Sequence, residues 1–288
     1  MFELLQQAIR KFKRQKIGIF VIIGAIFWYG QEVFFARGKA TYAGIPETAS
    51  FKLADVTHIF RKEGFMVGYS ELRGNPLWVT YKLKPKRSNA RSYKRPSSFH
   101  EEKFSIYGAK HSYYTHTGYD RGHMAPNHAM TALYGRDAQL ETFSMVNITP
   151  QKPNLNRKIW QRLESIEIDK FAVWFKDVWV ITGPIFSDKP KTLKNTKIQI
   201  PKAFYKIYVV PSSKKDTPAQ VLAFIIPQGV HGGAPLDRYI TTIDEVEKQT
   251  NLDFLHKVED TLEDRLESGK NKTAWRIKEL SKIRGRYE

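Results

Sequence analysis

A short segment near the middle of the chain concentrates side chains that can do chemistry. Asp120-Arg121-Gly122-His123 places a carboxylate, a cation, a flexible glycine and a titratable imidazole in consecutive positions. An imidazole has an ordinary pKa near 6.5, so His123 could take a proton from water around neutral pH. On an extended strand, Arg121 and His123 would lie on one face, because side chains two residues apart point the same way. That geometry would place a titratable base beside a permanent cation.

Four histidines in the same region allow a different interpretation. His111, His116, His123 and His128 fall within 18 residues and could form a zinc site. Zinc is bound by thiolate, imidazole or carboxylate groups, and the chain contains no cysteine to support such a site. A zinc cluster is therefore the weaker hypothesis. The absence of cysteine also excludes disulfides, thiolate nucleophiles and iron-sulfur clusters.

The charge of the chain indicates a polyanionic partner. Its 288 residues contain 47 Lys and Arg against 29 Asp and Glu, which gives a formal net charge of +18. This imbalance exceeds what solubility needs, and it favours binding to nucleic acid or to an anionic membrane surface. A hydrophobic content of 41% is enough for a sizeable core, which excludes a wholly disordered chain.

The N-terminus is typical of a segment that enters a membrane. Basic residues between Arg10 and Lys16 precede an uncharged run over 17–29, and apolar character resumes up to Ala36. As a helix, residues 17–36 would cross a hydrocarbon core about 30 Å thick. A signal anchor is favoured over a cleaved signal peptide or a buried core helix, because no clear small-residue cleavage pair follows. The basic flank predicts that the remainder of the chain lies outside the cytoplasm, in the periplasm or an equivalent organelle compartment.

Residues 1–40 are thus predicted to be a basic flank and membrane segment, and residues 41–288 one soluble domain. The predicted strands are short runs rich in β-branched and aromatic residues, at 64–70, 77–83, 171–182, 204–210 and 221–226. An apolar stripe predicts a helix over 154–170, and Thr242 is a plausible cap for a second over 242–255. Strands and helices without a regular repeat predict an α+β fold.

Several motifs occur in a fixed order along the soluble chain. They are Trp78-Val79-Thr80-Tyr81, Asp120-Arg121-Gly122-His123-Met124-Ala125-Pro126, Asn147-Ile148-Thr149-Pro150-Gln151, Leu155-Asn156 and Trp160-Gln161-Arg162-Leu163-Glu164. With these motifs the chain resembles the DNA/RNA non-specific endonucleases, which are ββα-metal (His-Me finger) nucleases of the endonuclease G-like type. The resemblance implies a ββα-metal fold, mainly an antiparallel sheet with flanking helices, and hydrolysis of phosphodiester bonds in DNA and RNA.

The resemblance implies roles for three of the motif residues. His123 would be the general base, and Asn156 would bind Mg²⁺ through its side-chain oxygen, with Mn²⁺ as an alternative metal. Glu164 would order metal-bound water, because it lies eight residues after Asn156 and direct coordination by both side chains is awkward. The alternatives are a helix cap for Asn156 and an ordinary exposed residue for Glu164.

Three further residues complete the predicted catalytic set. By resemblance, Asn147 would assist the active site beside the histidine; otherwise it only closes a turn. Arg121 would contact the scissile phosphate, or form a structural salt bridge with Asp120 or Glu141. The family also implies an upstream catalytic arginine, for which Arg95 is the predicted residue and Arg91 the alternative.

A basic run over 82–95 without one acidic residue would bind the nucleic acid backbone. The predicted substrate-binding residues are Lys84, Lys86, Arg87, Arg91, Lys94 and Arg157, with Arg136, Lys152 and Lys158 nearby. Phosphate contacts confer affinity without reading sequence, so little sequence specificity is expected. The alternative for this run is a solvated basic loop.

Other partners and another class of function stay open. The expected partners besides DNA and RNA are a membrane through residues 17–36, a second copy of the chain in a homodimer, and a protein inhibitor. The competing functions are a nucleic-acid-binding module that has lost activity and a protein that uses its charge on anionic lipid. The joint presence of the residues His123, Arg121, Asn156 and Glu164 favours the enzyme.

Overall fold

The structure is a computed structural model that describes residues 18–88, 90–212, 219–270 and 272–285. The chain divides into two compact units, Met1–Lys39 and Ala40–Glu288. In the smaller unit, residues 18–31 are helical, and the helix continues through a π-helical turn at Glu32–Ala36 to Arg37–Lys39.

The helix of the smaller unit exposes most of its apolar side chains. Phe20 is 72% exposed and Trp28 is 66% exposed. Among the described residues, no helix is both long enough and apolar enough to cross a membrane. The membrane segment predicted at 17–36 is therefore not supported by the described helices. Ile17 and the basic flank before it lie outside the described residues.

The larger unit is built on a seven-stranded sheet. In chain order the strands are β1 (Glu47–Thr48), β2 (His58–Lys62), β3 (Phe65–Ser70), β4 (Asn75–Leu83), β5 (Asp120–His123), β6 (Ile148–Gln151), β7 (Val178–Ile185), β8 (Ala203–Val210), β9 (Gln220–Pro227), β10 (Ile240–Thr241) and β11 (Leu252–Asp253). The order across the large sheet is β10-β9-β8-β7-β4-β3-β2, and β1 pairs with β11 and β5 with β6. All of these strand pairs are antiparallel. The predicted α+β fold with a mainly antiparallel sheet is confirmed.

The helices of the larger unit flank this sheet. They are α1 (Asn127–Tyr134), α2 (Arg136–Thr142), α3 (153–174), α4 (Ile243–Thr250), α5 (Asp260–Glu267) and α6 (Ile277–Leu280). The helix predicted over 154–170 is confirmed as α3. The second predicted helix begins where expected, because the Thr242 hydroxyl accepts a hydrogen bond from the Glu245 N–H at 3.2 Å. It ends earlier than predicted, because Asn251 adopts a left-handed conformation with φ 62°.

The sheet is covered on both faces, which explains why its strands are apolar almost throughout. Along β8, Phe204 and Tyr208 pack into one layer, while Tyr205 and Ile207 pack into the other. The first layer contains the apolar stripe of α3, and the second contains buried side chains of α4 and α5. Strands buried on both faces have continuous apolar runs, which made β3, β4, β8 and β9 predictable.

One strand prediction is wrong in its first part. Residues 171–174 still belong to α3, and β7 begins only at Val178. The aromatic rings of this segment pack on Trp275, with centroid distances of 4.9 Å from Phe171 and 4.7 Å from Phe175. An aromatic run can fill a core from the end of a helix as well as from a strand. Composition alone therefore predicted a strand where the structure has a helix end.

Two strands and a helix hold the motif residues together. β5 pairs with β6 so that His123 lies opposite Ile148. A Cβ atom on Gly122 would collide with the side chain of Gln151, so the close packing at this position requires glycine. The indole N–H of Trp160 donates to the carbonyl oxygen of His123 at 3.3 Å, which ties α3 to β5. The ends of β5 and the first turns of α3 therefore face a common cleft.

Candidate active site

A cleft of about 1000 Å³ lies between β5 and the first half of α3. The predicted site residues that line it are Arg95, Arg121, His123, Asn156, Arg157 and Glu164. They come from sequence positions up to 69 residues apart, from the loop before β5, from β5 itself and from α3. The fold therefore brings together most of the predicted catalytic and metal-binding residues.

His123 sits at the end of β5 with its ring in an aromatic surround. Its ring centroid lies 5.3 Å from that of Phe99 and 5.1 Å from that of Phe143. The side chain is 8% exposed, and its Nε2 atom has no hydrogen-bond partner within the described part of the protein. Burial, reinforced by repulsion from Arg95, lowers the pKa of His123 to about 3. The imidazole is therefore neutral at physiological pH, and a neutral imidazole can accept a proton.

Arg121 lies on the same strand, two residues before His123. Its guanidinium donates to the carbonyl oxygen of His111 from Nε at 3.0 Å and from Nη2 at 2.7 Å. It also lies over the ring of Tyr114, 5.8 Å from the centroid. Two backbone hydrogen bonds hold the group without neutralising it, because a carbonyl carries no net charge. The salt bridge considered as an alternative for Arg121 is not among the described ion pairs.

Asn156 is held by a carboxylate at the beginning of β5. Its Nδ2 donates to Oδ2 of Asp120 at 3.0 Å. Arg157 binds the same carboxylate with both Nε and Nη2, at 2.8 Å and 2.7 Å. An ionised carboxylate only accepts hydrogen bonds, so the amide nitrogen of Asn156 must face Asp120. Its Oδ1 is consequently left for another partner, as a metal ligand requires. Asn156 also lies near the start of α3, the position for which a helix cap was the alternative role.

Glu164 faces the cleft two turns farther along α3. Burial, opposed by Lys206, raises the pKa of Glu164 to about 8. A carboxylate in this position lacks a full counter-charge, so a bound cation would favour its ionised form. The geometry supports an interaction with a metal or its water rather than the exposed-surface alternative.

Asn147 lies outside the cleft, although it was predicted to assist there. Its side chain is fully buried, accepts from the Ala125 N–H at 2.8 Å, and donates to the carbonyl oxygens of Ala125 and Thr142 at 3.0 Å each. All these bonds fix the backbone that leaves β5 just after His123. Asn147 therefore positions the loop that follows the histidine, and its buried amide does not reach the cleft.

The basic run divides into paired and unpaired cations. Lys86 pairs with Asp169 at 3.2 Å, and the Lys84 ammonium lies 4.0 Å from the centroid of the Tyr134 ring. Arg87 donates to the Tyr134 carbonyl oxygen at 3.2 Å. The exposed side chains of Arg91 and Lys94 have no such contact among those described, and of the two candidate arginines Arg95, not Arg91, lines the cleft.

Phe99 and Asn127 are among the cleft residues that the sequence did not indicate. The ring of Phe99 packs at a tilt against the ring of His123, from a loop that has no regular structure. Asn127 opens α1, and its buried Nδ2 has no hydrogen-bond partner in the described part of the chain. Asn127 directly follows Pro126 at the end of the histidine motif, so its position was the only available signal.

The structure does not support a zinc cluster. Among the described residues, one group of three His or acidic side chains is close enough to share an ion, and it contains Asp244, Glu247 and Glu267 rather than any of the four histidines. His111 instead accepts a hydrogen bond at Nδ1 from the Phe99 N–H at 3.2 Å. A metal in the cleft would rest on amide and carboxylate oxygens, which suit a hard cation.

The sequence of the chain is similar to those of known nucleases. Residues 47–261 match the family model described as DNA/RNA non-specific endonuclease. Mitochondrial endonuclease G of Homo sapiens is 24% identical over 225 residues, which cover 74% of each chain. The mitochondrial nuclease of Saccharomyces cerevisiae is 30% identical over 218 residues, covering 68% of this chain and 65% of that protein. A nuclease of Nostoc sp. is 30% identical over 226 residues, covering 75% of this chain and 80% of that protein.

A solved structure shares the fold. A chain from the crystal structure of the EndoG/EndoGI complex, described as showing the mechanism of EndoG inhibition, matches with a TM-score of 0.66 and 22% identity. The match covers 78% of this chain and 93% of that chain. The large antiparallel sheet and its flanking helices are thus a fold already seen in crystals.

Proposed function

The chain belongs to the DNA/RNA non-specific endonuclease family, and we propose that its cleft hydrolyses phosphodiester bonds with His123 as general base and Asn156 as the ligand of Mg²⁺. The observation that carries this proposal is the neutral, unpartnered Nε2 of His123 in the same cleft as Asn156 and Glu164. A base that accepts a proton from water must be unprotonated and must have a free lone pair. Both conditions hold for His123.

The metal proposal rests on how Asn156 is held. Because Asp120 accepts from its Nδ2, the amide Oδ1 is the atom left for a cation. Glu164 would order water near that cation. Its raised pKa means that a nearby cation would stabilise the ionised carboxylate. When bound, the metal supplies Lewis-acid stabilisation of charge on the phosphoryl oxygens and the leaving oxygen. Mg²⁺ accepts few protein ligands and suits this sparse set, and Mn²⁺ is the alternative.

Cationic side chains orient the phosphate beside the base. Arg121 is held by the His111 carbonyl oxygen and keeps its charge, and Arg95, which also lines the cleft, lies over the Phe143 ring, 5.3 Å from the centroid. A phosphate bound by these guanidiniums would also add negative charge near His123. That charge would raise the pKa of the imidazole from its low value and increase its strength as a base.

The substrate is proposed to be DNA and RNA, with little sequence specificity. The exposed cations of the basic run offer contacts to phosphates, and these contacts do not distinguish bases. Attack by external water does not use the 2′-hydroxyl group, so the chemistry applies to both polymers. A protein inhibitor and a homodimer remain proposed partners, and for the inhibitor the structural relative offers a parallel in its EndoGI complex.

Location is a separate proposal. An enzyme that cleaves DNA without sequence specificity would endanger the cell's own genome, and the basic residues before Ile17 predict that the chain is oriented with its N-terminus in the cytoplasm. We propose that residues 41–288 act outside the cytoplasm. Protease added to intact spheroplasts or organelles should digest these residues, and full protection would contradict the proposal.

Incubation of the purified chain with supercoiled plasmid and with single-stranded RNA tests the activity. Both substrates should be cleaved internally with Mg²⁺ and left intact with EDTA. A basic binding module that has lost activity would retard both in a gel without cleaving either, even with Mg²⁺. Cleavage in EDTA would contradict the metal dependence.

A further inference from the structure

An acidic surface lies on the strongly basic chain, away from the cleft. Nine acidic residues fall between 244 and 267, namely Asp244, Glu245, Glu247, Asp253, Glu259, Asp260, Glu263, Asp264 and Glu267. They lie on and around α4 and α5, whose apolar sides pack in the second layer of the core. The helix that carries Asn156 and Glu164 packs in the first layer, on the other face of the sheet. The acidic surface is therefore separate from the candidate active site.

Three of these carboxylates converge. One oxygen each of Asp244, Glu247 and Glu267 lie within 4.8 Å of one another. Asp244 and Glu247 are three residues apart on α4 and share a face of that helix. Oε1 of Glu247 accepts from the Phe254 N–H at 2.7 Å, so its carboxylate is held in place by the backbone. No hydrogen bond between the three carboxyl groups is among those described.

Glu267 is the most buried of the three carboxyl groups, and one of its oxygens is unpaired among the described residues. It is only 7% exposed, and its buried Oε1 has no hydrogen-bond partner in the described part of the chain. It is also the last residue of α5, where the helix dipole disfavours negative charge. A buried, unpaired carboxylate is costly, and in native proteins such groups are paired or bind metals. Burial, followed by repulsion from Glu247, raises the pKa of Glu267 to about 9.

We propose that Asp244, Glu247 and Glu267 bind one divalent cation of the Ca²⁺ type, which ties α4 to α5. Three carboxylates and no nitrogen or sulfur ligand indicate a hard cation. Ca²⁺ accepts several carboxylates in flexible geometry, whereas Mg²⁺ usually keeps most of its water. Asp244 is exposed, so water can complete the coordination from its side. The cation would neutralise Glu267 and join two helices that contribute to the second layer of the core.

Thermal unfolding of the full chain, in EDTA and then with CaCl₂ or MgCl₂ added, tests this site. Ca²⁺ at about one hundred times its Kd should raise the Tm of the wild type by roughly 5–10 °C, because it binds only the folded state. Glu267→Gln should lose most of this rise, and in EDTA it should be at least as stable as the wild type, because glutamine is neutral and brings no charge into the acidic cluster. Asp264→Asn, an exposed position on the same helix, should keep the full rise.

A second comparison separates this cation from any cation in the cleft. Asn156→Ala removes the proposed Mg²⁺ ligand there, so the Ca²⁺-dependent rise should persist in that variant, and calorimetric titration should still detect one Ca²⁺ site. If Glu267→Gln does not fold, Glu247→Gln serves in its place and should lose the same site. An equal Ca²⁺ effect in wild type and in the Gln variant, or no effect in the wild type, would overturn the proposal.

Discussion

Asn156 donates its side-chain Nδ2 to Oδ2 of Asp120 across 3.0 Å, and this bond determines which end of the amide faces the cleft. A carboxylate cannot donate, so the nitrogen must point at Asp120 and the oxygen must point elsewhere. Arg157 clamps the same carboxylate with two further hydrogen bonds. Asp120 is therefore a positioning residue for the proposed metal ligand.

Asp120→Asn should weaken metal binding without removing the ligand. The new amide can donate to Oδ1 of Asn156 and so occupy the atom proposed for Mg²⁺. Loss of such an orienting contact typically costs about 10–100-fold in metal affinity. We expect the Mg²⁺ concentration for half-maximal cleavage to rise by that factor. Asp137→Asn, the same change at an exposed position of α2, should leave it unchanged, and equal behaviour of the two variants would contradict the role of Asp120.

The protonation state of His123 can be observed directly by NMR. Burial lowers the pKa of the imidazole to about 3, so the neutral form persists as the pH falls through the usual histidine range near 6.5. In the metal-free protein, the ring signals of His123 should stay constant between pH 8 and pH 5, with His123→Ala providing the assignment. A titration centred near 6.5 would show that the ring is not desolvated.

Lys206→Met should strongly destabilise the protein from a position behind the cleft. Lys206 and Glu167 form an ion pair of 2.7 Å in which both side chains are fully buried. Tyr81 and Tyr208 also donate to the Glu167 carboxylate, at 2.8 Å and 2.9 Å. Removing the lysine leaves a buried, uncompensated charge, at a cost of about 3–5 kcal/mol in the free energy of unfolding.

Urea denaturation of a double-mutant cycle measures this pair. The double variant Lys206→Met/Glu167→Gln should recover part of the loss, because the glutamine is neutral, its oxygen can still accept from one tyrosine, and its NH2 group can donate to the hydroxyl of the other. A loss below about 1 kcal/mol in the single variant, or no recovery in the double variant, would show that the pair is not the source of the stability.

The unpaired cations of the basic run should contribute most to its binding. Replacing Arg91 and Lys94 together by Ala should weaken binding to every DNA sequence alike and reduce the slope of log K against log salt by up to about 2 units. Lys86→Ala should change the slope less, because Lys86 is engaged by Asp169. Fluorescence anisotropy, measured without metal in a catalytically inactive background, gives these slopes. A loss of affinity confined to some DNA sequences would contradict binding to the backbone.

The sequence predicted the core strands and the first turns of α3 well, because their apolar patterns reflect local burial. It missed β2 as a strand, since His58–Lys62 mixes basic and apolar residues at a sheet edge. It placed Asn147 in the cleft, because membership of a motif does not distinguish a residue that takes part in the reaction from one that holds the backbone in place. The Lys206–Glu167 pair joins positions 39 residues apart and leaves no local signal.

The central claim is that His123 takes the proton from the attacking water. Single-turnover cleavage of a labelled DNA duplex by His123→Ala at saturating Mg²⁺ tests it most directly, with the Kd for the same duplex measured in Ca²⁺ or EDTA. The rate should fall by roughly 10²–10⁴, as expected for the loss of a general base, while the Kd stays within a factor of about 2. A rate equal to that of the wild type at unchanged Kd would contradict the account.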